Sequence, residues 1–152
     1  MGQQQLLLVI LVTIIVGIAT VVAINTFGSA ADSANVDAVR VDLAQIAASA
    51  QGFYMKPQML GGGSRSFTGL TFNTMAFSGV IESPTQAENE NAEYILPATT
   101  TADLQEFIVR ALPASGGEIQ ARVCPDGMRM GIYAPEGTTP TAPPDCTVAA
   151  TE

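Results

Sequence analysis

The chain has 152 residues, enough for one domain with an appendage, and only 13% of them are charged, against roughly 25% in a soluble domain. The net charge is −8, and the six basic residues (Arg40, Lys56, Arg65, Arg110, Arg122 and Arg129) are dispersed, so no basic patch exists to hold nucleic acid. With no histidine and only two cysteines, Cys124 and Cys146, the sequence lacks the usual general base and the usual soft metal ligands, and neither an enzyme nor a bound metal or cofactor is expected.

The deficit of charge is concentrated at the N-terminus, where no Asp, Glu, Lys or Arg precedes Asp32. Leu6 to Ile24 reads LLLVILVTIIVGIATVVAI. As a helix this run would reach about 28 Å, close to the ~30 Å hydrocarbon core of a bilayer. Thr13 and Thr20 are its only mildly polar members, and in a helix their hydroxyls bond back to its own carbonyls at little cost. Three readings compete. A cleaved secretory signal would end near Ala30-Ala31, but MGQQQ has no basic residue and the run is longer than a usual signal core. A plain membrane anchor is satisfied by length and composition. The third reading is a helix that leaves the membrane and packs with copies of itself.

The residues C-terminal to the run favour the third reading. Residues 25–35, NTFGSAADSAN, hold no basic stop-transfer cluster, and no proline intervenes until Pro57. Val36, Val39, Leu43, Ile46, Ala50 and Phe53 recur at spacings of three and four, a sustained helical seam. Asp37, Arg40, Gln45, Ser49 and Lys56 lie largely off it. The pattern predicts one helix from Met1 to about Tyr54, about 80 Å long, whose second half buries Val36, Val39, Leu43, Ile46 and Phe53 against a head. Gly17 and Gly28 lie inside it, each costing about 1 kcal/mol relative to alanine, and read either as tolerated glycines or close-packing notches or as places where the helix stretches or bends when subunits pack.

Lys56-Pro57 ends the helix, since proline disfavours the helical conformation in the residue before it. The expected division is therefore residues 1–56, a long helix, and residues 57–152, a β-rich head. Gly61-Gly62-Gly63-Ser64 comes after a helix and does not match a phosphate-cradling loop, which comes after a strand and opens a helix. Phe67 to Ile81 reads as loop with short extended pieces, and Pro84 to Asn91 as a polar surface loop. Glu93 to Ala98 is a short strand. Leu104 to Leu112 fits helical and strand patterns alike, and the need of Glu93–Ala98 for neighbours favours a strand. Glu118 to Cys124 alternates, Pro125-Asp126-Gly127 is a turn, Met128 to Ala134 alternates again, and Pro135-Glu136-Gly137 repeats the turn chemistry. The sum is an α+β fold in which an antiparallel meander of three or four strands lies over the helix. The tail TTPTAPPDCTVAATE cannot build a core; it reads as a solvated segment, and its threonines could accept O-glycans. An isolated cysteine pair without metal partners reads as a Cys124–Cys146 disulfide, formed outside the cytoplasm.

An apolar start, QQQLLLVILVTIIVGIATVVAI, an amphipathic continuation, a loop, a sheet and a C-terminal Cys124…Cys146 segment resemble, over the whole chain in outline, the type IV pilins. The resemblance implies a structural subunit of an extracellular filament. It would wait in the cytoplasmic membrane, be extracted by pilus-type assembly machinery, and polymerise with copies of itself through its apolar helix. It places Gln5, Leu6, Leu7, Val9 and Ile10, and further along Ile14, Gly17, Ile18 and Val21, in the filament core. The sequence departs from the family pattern in three places. Only Met1-Gly2 stands ahead of QQQ, with no basic residue. Where the family carries a glutamate early in the mature chain it has Gln5, or Leu7 if the count starts at Gln3. It also lacks the family's helix-breaking proline. A stationary anchored protein, a pseudopilin or an envelope adaptor, is the alternative.

Overall fold

The computed structural model describes residues 2–100 and 102–146. The chain forms two compact units, one ending at Ala34 and the other beginning at Asn35. The division falls within a single helix, α1 (Gly2–Met55).

In the first unit every described residue is exposed. The large apolar side chains from Leu6 to Ile24 are 48% to 69% exposed. Four hydroxyls on this stretch turn inward on their own helix. Thr13 donates to the Val9 and Ile10 carbonyls, Thr20 to Val16, Thr26 to Val22 and Ser33 to Ser29, at 2.8 to 3.0 Å. The helix runs through Gly17 and Gly28 without a break, and a Cβ at either would meet nothing.

In the second unit, α1 becomes amphipathic and packs on a six-stranded antiparallel sheet. The strands are β1 (Val80–Ser83), β2 (Gln86–Glu88), β3 (Ala92–Ile95), β4 (Phe107–Pro113), β5 (Ile119–Cys124) and β6 (Gly127–Met130), paired in chain order as an uninterrupted meander. Alternation sets the faces. Phe107, Val109 and Ala111 of β4 and Ile119, Ala121 and Val123 of β5 point into the core, where they meet Val36, Val39, Leu43, Ile46, Ala50 and Phe53 of α1. The Leu104–Leu112 region is therefore strand from Phe107 onward, and the strand neighbours that Glu93–Ala98 needs are present.

The sheet has six strands where the sequence suggests three or four. The loop expected at Pro84–Asn91 contains β2, which pairs Ala87 with Ile81 on one side and Tyr94 on the other. Only Ala87 of this strand is buried, and one inward residue is too short a signal for a period of two. The last strand is shorter than the Met128–Ala134 expected: it stops at Met130, and Ala134 rejoins Glu118 through an isolated bridge. The chain tail lies against the gap, since a Cβ on Gly131 would sit 3.0 Å from the Thr141 carbonyl oxygen.

The irregular segment after α1 supplies aromatic core. Phe67, Leu70 and Phe72 are fully buried although no regular element contains them. The Phe67 ring lies 4.8 Å from Tyr54 and 5.1 Å from Phe107, centroid to centroid. Phe77 lies 5.3 Å from Phe72 and 5.4 Å from Tyr94. These are the tilted and edge-on contacts that aromatic quadrupoles favour.

Candidate functional site: an apolar helix surface and a clasped head

A helix end leaves carbonyls without partners, and a buried carbonyl left unpaired is costly. At the end of α1 the glycine-rich loop meets that need. The Gly63 N–H donates to the Phe53 carbonyl at 2.9 Å, the Arg65 N–H to Tyr54 at 2.8 Å and the Ser64 N–H to Lys56 at 3.0 Å. Close approach explains the composition: a Cβ on Gly62 would fall on the Lys56 carbonyl, and one on Gly63 on the Ser66 carbonyl. The loop therefore serves as a cap, placed after α1 and a short 3-10 turn, Gln58–Leu60.

Farther back on α1 lies Asp42, a residue that no motif or periodicity in the sequence marks. One of its carboxylate oxygens accepts hydrogen bonds from the Tyr94 hydroxyl at 2.7 Å and from the Asn89 and Asn91 amides at 2.8 Å each. Partial burial pushes the carboxyl up, but the bonds from Asn91, Asn89 and Tyr94 together outweigh it and hold Asp42 below the usual carboxylate range. Burial first, and then the bond to Asp42 and its negative charge, drive the Tyr94 phenol far above its ordinary value. Asn35 adds to the same joint by donating to the Asn91 carbonyl at 3.1 Å and accepting from Ser115 at 2.9 Å. Asp42 sits one position from Leu43 of the seam, but so placed it differs in no way from the other polar residues that flank the seam. Its partners lie some fifty residues away, out of reach of any periodicity.

On the other face of the sheet, β5 and β6 set Arg122 opposite Arg129. Like charges directly across a ladder repel. Acidic groups and the tail compensate. Arg122 donates to Glu106 at 2.8 Å and pairs with Asp145 at 2.9 Å, while Arg129 reaches the Cys146 carbonyl at 3.4 Å and Asp126 at 3.5 Å. Cys124, fully buried at the end of β5, is disulfide-bonded to Cys146. The expected pairing is thus present, and it binds the proline-rich tail to the sheet. Glu106 lies beside the two sulfurs, but sulfurs joined in a disulfide offer no thiolate to a metal. Of the tail threonines that could accept O-glycans, Thr138, Thr139 and Thr141 are exposed; Thr147 and the rest of the tail fall outside the described residues.

The residues expected in a filament core (Gln5, Leu6, Leu7, Val9, Ile10, Ile14, Gly17, Ile18 and Val21) all lie on the exposed surface of the first unit. Val36, Val39, Leu43, Ile46 and Phe53, expected to pack on the head, are all in its core. The helix is long and apolar enough to cross a membrane, with a mean hydropathy of 3.2 over its most apolar stretch. Comparison with protein-family models, curated proteins and solved structures finds no match to this chain.

Proposed function

We propose that this chain is a structural subunit of a type IV pilus-like extracellular filament, held in the cytoplasmic membrane before assembly and polymerising through its apolar N-terminal helix. One observation carries the reading: α1 continues unbroken from a fully exposed, charge-free apolar stretch into a seam buried in a folded head. A surface of that size is not left to water, so lipid or other copies must cover it.

The self-satisfied hydroxyls of Thr13, Thr20, Thr26 and Ser33 support both environments in turn, because neither lipid nor a neighbouring helix has to supply them with partners. The groups with perturbed acidity support a structural role over an enzymatic one. Asp42, Tyr94, Arg110 and Glu118 are each engaged in hydrogen bonds inside the head. The disulfide supports a head outside the cytoplasm, where such bonds persist.

Negative-stain microscopy of cells expressing the full chain, with mass spectrometry of sheared material, tests the proposal. Thin fibres whose mass is this chain are expected. Chain found only in the membrane fraction, with no fibres, would identify a stationary anchor instead.

A further inference from the structure

Four of the six cations are paired within the head: Arg40 with Asp37, Arg110 with Glu118, Arg122 with Glu106 and Asp145, and Arg129 with Asp126. Among the described residues, Lys56 and Arg65 have no ion-pair partner. Both sit at the end of α1. Lys56 comes directly after its last residue, and the Arg65 backbone is fixed there by its bond to the Tyr54 carbonyl. Ser64 and Arg65 hold left-handed backbones, φ 49° and 68°. The same end exposes three large apolar side chains: Met59 is 98% exposed, Met55 74% and Leu60 67%. Isolated exposed apolar residues are ordinary, but three beside two unpaired cations make a tip that nothing in its own head covers.

A surface of opposite character lies between α1 and the β1–β2 hairpin. There, a cleft of about 810 Å³ is lined by Asp42, Gln45, Val80, Glu88 and Glu90 among others. Val80 on the edge strand is 69% exposed. Glu88 and Glu90 are exposed and, among the described residues, meet no cation.

We propose that the basic, methionine-rich tip of one copy docks into the acidic cleft of the next, and that this contact sets the stagger of heads along the filament. The inference rests on the filament reading. Lys56 and Arg65 meet Glu88 and Glu90, while Met55, Met59 and Leu60 cover Val80. Methionine suits such a contact because its unbranched chain adapts to irregular surfaces. Exposed ion pairs contribute little alone; here they select orientation and partner, and the apolar contact excludes water. Tip and cleft are different surfaces of one head. Lys56 and Asp42 are separated by fourteen positions, about 20 Å along a helix. The contact is therefore head-to-tail, the kind that propagates into an open helical chain when its rotation does not close a ring.

Cysteine crosslinking of the full chain in expressing cells tests the docking, since the native cysteines are bonded to each other and introduced thiols are the free ones. With a short bismaleimide, Met59→Cys combined with Val80→Cys should give a ladder of dimers, trimers and higher species, and each single variant should give none. In that background Lys56→Glu with Arg65→Glu, or separately Glu88→Lys with Glu90→Lys, should weaken the ladder about tenfold, the effect of roughly 1.4 kcal/mol. All four reversals together should restore it, which a misfolded variant would not do. Dimers from a single variant, or a ladder indifferent to the reversals, would overturn the docking. Fibres of the unmodified chain seen by microscopy without a ladder from the double variant would also overturn it while leaving the filament reading intact. Absence of both fibres and ladder would overturn both.

Discussion

The Asp42 carboxylate of α1 accepts the Tyr94 hydroxyl of β3 at 2.7 Å, and the same oxygen takes the amides of Asn89 and Asn91. This is the polar joint between helix and sheet, and it is charge-assisted on one side only. Replacing Asp42 with Asn keeps the size but turns one acceptor into a donor facing amide donors. A loss of about 1.5–3 kcal/mol is expected, the range for hydrogen bonds to a charged group. Tyr94→Phe, which removes one donor of three, should cost about 1 kcal/mol. Denaturant unfolding of the full chain in detergent, monitored by tyrosine fluorescence, reads both. Equal stability of Asp42→Asn and the unmodified chain would show that the joint is ornamental.

The same joint sets a pH dependence with a definite sign. Its pKa is lower folded than unfolded, so its contribution is fully present above the unfolded carboxylate range and is lost as pH falls through the folded value. The unmodified chain should lose stability below about pH 4, and Asp42→Asn should flatten that slope. A slope unchanged by the substitution would assign acid sensitivity to other carboxylates, such as Glu118, which its bond to Arg110 holds down despite partial burial.

The disulfide encloses a long loop, with twenty-two positions separating its cysteines. In the chain-entropy model that is worth about 3 kcal/mol. Cys124→Ser with Cys146→Ser should lower stability by that order and release the tail to protease, since the remaining contacts of the tail to Arg122 and Arg129 are long or exposed. Alkylation of freshly isolated chain without reductant, then mass spectrometry, should find both native thiols blocked by each other. Two alkylated cysteines would contradict the bond.

For the apolar helix, Ile14→Asp is the decisive change. Ile14 is 54% exposed on the isolated chain. An aspartate there costs about 2.5–3.5 kcal/mol in a bilayer centre, and in a packed helical core its charge would be unpaired. Filaments should be lost. A normal yield of fibres from this variant would contradict a buried helical core. Gln5→Glu asks the narrower question of whether Gln5 serves only as a hydrogen-bonding group; if so, the variant still assembles.

Fourteen acidic and six basic side chains all lie from Asp32 onward, with a net charge of −8. Fibres of such subunits should repel at low salt, with a screening length of about 10 Å at 0.1 M falling to 3 Å at 1 M. Light scattering should report dispersed fibres at neutral pH, and bundling as salt rises or as pH nears the sequence pI of about 4.2. Scattering flat across both titrations would show that something other than charge separates them.

The parts legible in the sequence are those with a repeating signal. The seam from Val36 to Phe53 recurs often enough to mark a face, and the alternation of Ile119, Ala121 and Val123 marks another. The pairing of Cys124 with Cys146 rests on there being no other partner. The hidden parts lack periodicity. β2 turns one residue inward, Phe67 and Phe72 are buried by a segment with no regular backbone, and the Asp42 joint is built from residues far apart in the chain. The three glycines at residues 61–63 are visible in the sequence, but their reasons are matters of three-dimensional structure: Gly61 holds a left-handed backbone, and Gly62 and Gly63 press against the Lys56 and Ser66 carbonyls.

The inward-turned hydroxyls of Thr13 and Thr20 leave residues 6–24 of α1 a rod with no polar side chain in need of an outside partner. Lipid tails are as apolar as leucine, so no hydrophobic driving force separates a place among lipids from a place among copies of the same helix. Under the proposed function, the rod can then exchange one surrounding for the other with little free-energy difference in either direction. Growth and dissolution of the polymer would be decided where water is present, at the heads. A change as small as one charge on the head should shift the balance between stored and assembled chain more than most apolar exchanges along the rod.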